Sequence, residues 1–197
     1  MLVISVMSTK TSEAVAKPKF SIVNVVATAE LGQPVDLERL VNVPGFLYDY
    51  EIYHCAYLKD SKTKAKISIF SSGKMISIGT KSLRGATQDL KYAAQRLVDL
   101  HLMEPVTIKA KVQNIVAVCD TGSSFDLELL SRMLQNLIYE PEQFPGAIYW
   151  APELQGAAIL IFPSGKIVVS GLKRHEMLRV VEKLLVNLIY QLRNLTI

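Results

Sequence analysis

Phe70–Lys74 (FSSGK) recurs 92 positions later as Phe162–Lys166 (FPSGK). In the first copy the stretch lies between two alternating apolar segments, Ile67–Phe70 and Met75–Ile78. A short Ser/Gly stretch between two such segments predicts a tight turn that joins antiparallel strands. The chain therefore contains the same β-hairpin twice, and this duplication decides the fold.

Three further matches extend the duplication in both directions from the hairpin. Asn24–Ala27 (NVVA) recurs as Asn114–Ala117 (NIVA), and Asp36–Glu38 (DLE) recurs as Asp126–Glu128, both with an offset of 90. The third match pairs Gly79 and Lys81 with Gly171 and Lys173 at an offset of 92. A nearly constant offset in one order indicates an internal repeat. We place the repeats at 20–108 and 109–197, with a tail at 1–19 outside both.

Each repeat has the same predicted plan: a β-branched strand, a short helix, several alternating strands and a long amphipathic helix. In the second repeat Ser123 or Ser124 is the expected N-cap of a helix from Phe125 to Leu137. The long helices carry apolar stripes at helical spacing, which are Ala86, Leu90, Ala93, Ala94, Leu97 and Val98 in the first repeat and Met177, Val180, Val181, Leu184, Leu185, Leu188 and Leu192 in the second. This order predicts an α+β fold in which an antiparallel sheet carries helices on one face.

The other face of that sheet is predicted to be open and apolar. Side chains alternate along a strand, so Leu160 and Phe162 share a face, as do Asn24 and Val26. If these residues are on the side away from the helices, phenylalanines are exposed there. A large exposed apolar face usually marks a binding surface.

Composition limits the chemistry that this surface can perform. The 197 residues are half apolar and carry a net charge of +4, a mild basic bias that is compatible with nucleic acid. The two cysteines, Cys55 and Cys119, form no CxxC pair, and the three histidines have no metal-ligand spacing. No cofactor or metal is therefore expected. No apolar run approaches the ~20 residues of a membrane helix, so we expect a soluble intracellular protein without a membrane partner.

At the level of motifs, the chain resembles the TATA-box-binding proteins. Tyr139–Gly146 (YEPEQFPG) followed by Ile161–Lys166 (IFPSGK) is similar to the second repeat of that family, and Phe70–Met75 is similar to its first-repeat hairpin. The resemblance covers about 20–197. It implies a pseudo-twofold saddle, a curved antiparallel sheet with four helices on the convex face. The family is itself the standard example of apolar side chains wedged into a widened minor groove.

The resemblance also implies a function and a location. The family consists of general transcription initiation factors, which bind the TATA box of double-stranded promoter DNA, bend it and recruit transcription factor B and, indirectly, RNA polymerase. Such a protein performs no catalysis. It lies with the chromosomal DNA, in the cytoplasm or nucleoid of an archaeon, which the short tail suggests, or in the nucleus of a eukaryote.

Four groups of residues carry this implied interface. Tyr53, Phe70, Phe144 and Phe162 are the expected wedges, and Asn24 and Asn114 are expected near the dyad, where an amide can donate to base acceptors. The expected apolar floor is Val26, Ile76, Val116, Leu160 and Val168. The expected phosphate contacts are Lys59, Lys74, Lys166 and Lys173.

Four positions depart from the family pattern. Tyr53 replaces a phenylalanine, Ile78 replaces a threonine whose hydroxyl Ser170 retains, and Ser68 replaces an apolar residue. Trp150 stands where a phosphate-facing arginine is usual, whereas Lys59 keeps the charge in the first repeat. Because three departures are in the first repeat, we expect unequal half-sites.

Other functions remain as alternatives to DNA binding. The first is a protein-interaction adapter, a TATA-binding-like paralog whose saddle no longer binds DNA. The second, a duplicated enzyme, lacks a catalytic constellation, since no nucleophile accompanies the carboxylate pair Glu140 and Glu142. By resemblance, that pair is instead expected on the loop that docks transcription factor B. The sequence leaves open whether the free protein self-associates through its apolar face.

Overall fold

The computed structural model describes residues 18–195, with side chains described through residue 190. Of the predicted tail 1–19, residues 1–17 lie outside this range, as does the side chain of Leu192. Within the described residues, no helix has the length and apolarity that crossing a membrane requires.

Each half of the chain contributes five strands and one long helix. The first half forms β1 (Ser21–Glu30), β2 (Phe46–Leu47), β3 (Ala56–Leu58), β4 (Lys66–Ile69), β5 (Lys74–Thr80) and α1 (Leu83–Asp99). The second half forms β6 (Lys111–Asp120), α2 (Leu127–Met133), β7 (Leu137–Tyr139), β8 (Ala147–Tyr149), β9 (Ala158–Ile161), β10 (Lys166–Leu172) and α3 (Met177–Leu195).

All ten strands form one antiparallel sheet in the order β2-β3-β4-β5-β1-β6-β10-β9-β8-β7. From either end of the sheet, the strands follow in the same order if each strand is replaced by its counterpart in the other repeat. The two strands at the centre are β1 and β6. The sheet is curved and unclosed, and its helices lie on the convex face. The predicted α+β fold is therefore confirmed.

The centre of the sheet has a pseudo-twofold register. Val25 pairs with Ile115, and on either side Asn24 pairs with Val116 and Val26 pairs with Asn114. Exchanging the repeats maps each of these outer pairs onto the other. The two repeats therefore meet around a pseudo-dyad at Val25 and Ile115.

Both predicted hairpins are present. Ile69 pairs with Met75 across β4 and β5, and Ile161 pairs with Ile167 across β9 and β10. In each turn the glycine N–H donates to the carbonyl of the preceding phenylalanine, over 2.9 Å at Phe70 and 3.0 Å at Phe162. The repeated FxSGK motif thus makes the same turn twice.

The predicted apolar stripes pack against the convex face of the sheet. In α1 the residues from Ala86 to Leu97 in the stripe are buried and Val98 is half-buried, while in α3 the residues Val181, Leu185 and Leu188 are buried. Removing each large side chain from water contributes about 1.5–3 kcal/mol, so packing rather than intrinsic propensity holds the helices on the sheet.

The short helix of the second repeat differs from its predicted bounds. It begins after Asp126, whose carboxylate accepts a hydrogen bond from the Leu129 N–H at 3.0 Å, so neither Ser123 nor Ser124 is the cap. Phe125 precedes the cap, and its N–H donates to the Pro163 carbonyl in the hairpin turn. At the other end Leu134 is extended, and Leu137 already belongs to β7.

The first repeat has only a 3₁₀ turn, Glu38–Leu40, at the equivalent place. Val41 is extended immediately after it, and Val43 and Pro44 follow. β-Branched residues and a position before proline disfavour a further helical turn. The expectation of four helices is therefore wrong for the described residues, which form three α-helices and two 3₁₀ turns.

Candidate nucleic-acid interface

Strand alternation leaves one face of the sheet free of helices, and we call it the open face. In β1 the residues Val25, Ala27 and Ala29 are buried under the helices, whereas Asn24 and Val26, which alternate with them, are only half-buried. The same alternation places most of the expected interface on the open face, namely Asn24, Val26, Ser68, Phe70, Ile76, Ile78, Asn114, Val116, Leu160, Phe162, Val168 and Ser170.

Two asparagines lie on the open face beside the pseudo-dyad and are held in one orientation. Asn24 Oδ1 accepts a hydrogen bond from the Gly79 N–H at 3.0 Å, and Asn114 Oδ1 accepts one from the Gly171 N–H at 2.8 Å. Because a backbone N–H can only donate, the amide oxygen must face it. The Nδ2 group of each asparagine is therefore left to donate elsewhere.

The glycines that hold these asparagines lie at matched irregularities of the sheet. The register shifts between Val25 and Val26 beside Gly79, and between Val169 and Leu172 beside Gly171. Both glycines have positive φ, +115° and +91°. A Cβ at Gly171 would also lie 2.9 Å from the Ala157 Cα. These positions require glycine, which explains why the motif recurs with Gly in both repeats.

Two rows of paired residues form the floor of the open face. The second-half floor runs through Val118, Val168, Leu160, Ile148 and Ile138. The first-half floor runs through Thr28, Ile76, Ser68, Tyr57 and Leu47. The second-half floor is entirely aliphatic, whereas the first-half floor contains three hydroxyl groups.

The aromatic wedges are arranged differently at the two ends. Phe144, in the β7–β8 loop, contacts Phe162 edge-to-face with ring centroids 5.7 Å apart. Tyr53, in the β2–β3 loop, contacts Tyr57 rather than Phe70, with centroids 5.4 Å apart at 85°. The Lys66 ammonium lies 3.7 Å from the centre of the Tyr57 ring. The first end of the sheet thus carries a Tyr–Tyr–Lys cluster where the second carries two phenylalanines.

The four lysines that were expected to contact phosphate are exposed but not equivalent in position. Lys59 directly follows β3, and Lys74 and Lys166 open β5 and β10. Lys173 instead lines a cavity on the helix side together with the buried residues Val25 and Ile115. The structure therefore does not bring Lys173 to the open face.

The β7–β8 loop also carries the acidic pair. Its turn is closed by the Glu140 carbonyl, which accepts from the N–H groups of Gln143 (3.0 Å) and Phe144 (2.9 Å). Both Glu140 and Glu142 have exposed side chains. Trp150 lies beyond the next strand, and its side chain is 42% exposed. Its backbone N–H donates to the Asn136 carbonyl.

Sequence reasoning missed several residues of the open face. The members of the two floors that it did not name are Thr28, Leu47, Tyr57, Val118, Ile138 and Ile148, and Gln113 joins them by donating to the Thr28 hydroxyl at 2.8 Å. Alternation from Val26 to Thr28 and from Val116 to Val118 could have found two of them. The outer strands are too short to carry a visible alternation.

The described residues contain no group of three or more His, Cys, Asp or Glu side chains that could hold a metal ion. Both cysteines are buried, and burial raises the pKa of the Cys119 thiol to about 11, so that thiol stays neutral at physiological pH. What remains is a large apolar face with a few oriented hydrogen-bond donors.

Comparison with known proteins places this architecture in one family. The family model "Transcription factor TFIID (or TATA-binding protein, TBP)" matches residues 19–100 and 109–192, once for each half. The chain is 39% identical to the TATA-box-binding protein of Haloarcula marismortui, a match that covers 81% of this chain and 87% of that protein. It is 34% identical to that of Cenarchaeum symbiosum, over 80% of this chain and 87% of that protein.

A solved structure gives the same result in three dimensions. The protein described as Methanococcus jannaschii TBP superposes with a TM-score of 0.79 at 32% sequence identity. The superposition covers 88% of this chain and 99% of that one. Sequence and fold therefore agree over both halves of the chain.

Proposed function

The chain belongs to the TATA-binding protein family of transcription factors, and from this premise we propose that its open face binds the minor groove of a TATA box and bends the DNA. We further propose that the bound protein recruits transcription factor B and, through it, RNA polymerase. The protein acts by binding alone.

The observation that carries the proposal is the pair of clamped asparagines, each paired across the pseudo-dyad with an apolar valine. In the minor groove an A·T pair presents only the acceptors adenine N3 and thymine O2, while a G·C pair adds the guanine N2 amino donor. Asn24 and Asn114 turn their donor Nδ2 groups away from the glycines that hold their oxygens. Val26 and Val116, beside them, cannot satisfy a guanine donor. The centre of the open face therefore favours A·T pairs.

Apolar rings at the two ends of the sheet provide the means of bending. Phe144 and Phe162 form one wedge, and Phe70 and Tyr53 supply separate rings at the other end. An apolar ring inserted at a base step unstacks it and kinks the duplex away from the minor groove. Lys59, Lys74 and Lys166 then reach phosphates, which sets the position of the duplex without reading its sequence.

The β7–β8 loop is the proposed docking point for transcription factor B. Glu140 and Glu142 are exposed, and they flank Pro141, which stiffens the loop. Opposite charge on a partner steers association and fixes its orientation. We therefore place a basic surface of the partner against this loop, next to the Phe144 wedge and hence next to the DNA.

Asn114→Asp is the variant that tests DNA recognition. Aspartate keeps an oxygen for the Gly171 N–H but has no group that donates, so the fold is retained while the donor is lost. Asn187→Asp, on the exposed surface of α3, makes the same chemical change on the helix side and is the matched control. In a mobility-shift assay with a TATA duplex, we expect Asn114→Asp to lose at least tenfold in affinity and Asn187→Asp to match the wild type.

Bending is measured separately by energy transfer between dyes at the two ends of the duplex. We expect the wild type to shorten the end-to-end distance on a TATA duplex and not on a G·C duplex. If the wild type binds neither duplex while retaining its fold, the open face serves protein interaction, and the adapter function replaces the one proposed.

Charge reversal in the acidic loop tests recruitment. The double variant Glu140→Arg, Glu142→Arg is expected to bind the TATA duplex normally and to abolish the ternary complex with transcription factor B, since opposed like charges cost several kcal/mol. Glu51, at the equivalent point of the β2–β3 loop, gives the matched control. Glu142→Arg alone should weaken the ternary complex and Glu51→Arg should not. A ternary complex that forms with the double variant at wild-type concentrations contradicts this assignment.

A further inference from the structure

Lys66 adds a cation to the open face, apart from the three lysines proposed to contact phosphate. It begins β4, where it pairs with Ile78, and its side chain is exposed. Ile78 pairs with Val26, and Val26 pairs with Asn114. Because paired residues share a face of the sheet, one row of the open face runs from the clamped Asn114 beside the pseudo-dyad out to Lys66.

Tyr57 holds the Lys66 side chain over the first-half floor. The Lys66 Nζ lies 3.7 Å from the centroid of the Tyr57 ring, well within the range of a cation–π contact. Tyr57 belongs to that floor through its pairing with Ser68, two residues along β4 from Lys66. Tyr53 packs edge-to-face against the same ring, with the centroids 5.4 Å apart. The ammonium therefore lies over a residue of the floor.

The equivalent positions of the second repeat are apolar. Ala158 takes the place of Lys66 at the offset of 92, and Ile148 takes the place of Tyr57 at an offset of 91. Neither side chain carries a charge or an aromatic ring. At these two positions, therefore, only the half-site under the first repeat, which we call the first half-site, meets a cation.

An ammonium in this position has the chemistry that the minor groove selects. Within residues 18–190 Lys66 takes part in no ion pair, so its charge is not neutralised by a carboxylate. The minor groove of A·T-rich DNA attracts lysine and arginine side chains through its negative potential. Its floor presents the acceptors adenine N3 and thymine O2, and an ammonium has three donors to offer them.

We propose that Lys66 enters the minor groove of the first half-site and donates a hydrogen bond to a base acceptor, with Tyr57 as the residue that positions its ammonium. This role rests on the proposed function, because only a duplex on the open face reaches Lys66. It differs from the role of Lys59, Lys74 and Lys166, since a phosphate contact is the same at every base pair whereas a base contact requires an acceptor. The first repeat thus binds one base through a cation where the second has an apolar side chain.

A double-mutant cycle between protein and DNA tests the base contact. One acceptor of a palindromic TATA duplex is removed at a time, adenine N3 with 3-deazaadenine and thymine O2 with 2-thiothymine, whose sulfur accepts poorly. Each replacement is made symmetrically in both half-sites, so that the direction of binding does not affect the result. Lys66→Met removes the charge but keeps an unbranched side chain. We expect one replacement to cost the wild type about fivefold more in affinity than it costs Lys66→Met.

Lys62→Met is the matched control. The Lys62 ammonium also lies near a tyrosine, 5.9 Å from the centroid of the Tyr92 ring, but Tyr92 is in α1 on the helix side. This variant should lose as much as the wild type at every replacement. If Lys66→Met also does so, Lys66 contacts no base and the proposal is overturned, even if the variant binds the unmodified duplex more weakly. A wild type that does not bind the unmodified duplex overturns the proposed function, and this role of Lys66 with it.

The positioning role of Tyr57 is tested on the replacement that identifies the Lys66 contact. Tyr57 is half-buried on the open face, so substitutions there leave the core intact. Tyr57→Phe keeps the ring, and the replacement should cost it as much as the wild type. Tyr57→Leu removes the ring, and the replacement should cost it as little as it costs Lys66→Met, although the lysine is still present. Equal costs for the two Tyr57 variants would overturn the positioning role.

Discussion

The two repeats share a backbone but fill their interiors with different chemistry. The buried polar side chains among the described residues are Ser77, Thr80 and Asp89, all in the first repeat. Their equivalents at the offset of 92 are Val169, Leu172 and Val181, all buried and apolar. Duplication therefore conserved the positions of the core and not its polarity.

The same contrast holds where the outer strands meet the long helices. In the first repeat Asp60 accepts from the Tyr92 hydroxyl at 2.6 Å and pairs with Arg96 at 3.1 Å. The equivalent residues of the second repeat are Ala151, at an offset of 91, and Leu184 and Leu188, at 92. Ala151 and Leu188 are buried in its apolar core, and Leu184 packs against that core. Hydrogen bonds and an ion pair therefore join the outer strands of the first repeat to its long helix, whereas apolar packing does so in the second repeat.

The two repeats have the same structure beside the pseudo-dyad. The asparagine–glycine hydrogen bond is present in both repeats with nearly equal lengths, 3.0 and 2.8 Å. The floors on either side of it differ as the cores do, with hydroxyl groups in the first and only aliphatic side chains in the second. Under the proposed function, the pseudo-dyad is one recognition centre shared by two unequal half-sites.

The largest expected effect concerns the polar core. The Asp89 carboxylate accepts from the N–H groups of Lys64 (3.0 Å) and Ala65 (2.8 Å). Asp89→Ala leaves both donors without a partner, so we expect a loss of roughly 2–4 kcal/mol in the free energy of unfolding, measured with urea. Asp99→Ala, an exposed change on the same helix, should cost about 0.5 kcal/mol or less. A loss below about 1 kcal/mol for Asp89→Ala would show that the polar core is not structural.

The next effect concerns the wedges at equivalent points of the two loops. Phe144→Ala should weaken binding to a TATA duplex by about 2 kcal/mol, as a mismatched base pair does. Tyr53→Ala should cost about half as much, because the Tyr53 hydroxyl must remain in water or find a partner when its ring inserts. Titration of the duplex with each variant gives the two values. Equal losses would remove the contrast, and a large fall in melting temperature would show that the rings are core.

A smaller effect is expected from the floors. The Ser68 hydroxyl can accept from the guanine N2 amino group, whereas Leu160 at the equivalent position cannot. Replacing one A·T pair of a half-site by G·C should therefore cost the Ser68→Leu variant about 1 kcal/mol more than the wild type. Leu160→Ser should not increase that cost. The prediction fails if Ser68→Leu and the wild type lose equal affinity on the substituted duplex.

The smallest effect is a dependence of stability on pH that is confined to the first repeat. The Tyr92 hydroxyl and the Lys62 N–H donate to Asp60 and lower its pKa below the usual 3.8. A lowered pKa stabilises the fold above pH 3.8, and this contribution is lost progressively as the pH falls below 3.8 and through the lower pKa of the folded state. Unfolding curves from pH 6 to pH 3 should therefore decline less steeply for Asp60→Asn than for the wild type. Parallel curves would show that Asp60 contributes nothing.

Much of the fold could be predicted from sequence because it is duplicated. FSSGK and FPSGK each gave a hairpin, and the recurring Asn24 and Asn114 marked the strands that meet at the dyad. Helix ends were harder to predict: the cap is Asp126 and not Ser123 or Ser124, and Phe125 before it donates its N–H to Pro163 in the hairpin turn. That contact joins segments distant in sequence, which local patterns do not reveal.

The candidate site was predicted where strands are long and missed where they are short. Val26 and Val116 lie in ten-residue strands whose alternation is visible, whereas Tyr57 and Ile148 lie in three-residue strands. The spacing of the motif also predicted that Lys173 contacts phosphate. This lysine follows the register shift beside Gly171, and it lines the cavity on the helix side instead of the open face.

One measurement tests the central claim, that two unequal halves form a single DNA-binding face, most directly. Gln143→Cys places a reactive thiol on the exposed β7–β8 loop, while the native Cys55 and Cys119 are buried. A cleavage reagent attached there is mapped on an asymmetric TATA duplex, with the wild type treated in the same way as control. We predict cuts in the minor groove at both ends of the element, with one end favoured about fivefold or less, as ~1 kcal/mol allows. Cutting at one end only, or away from the minor groove of the element, would contradict the account.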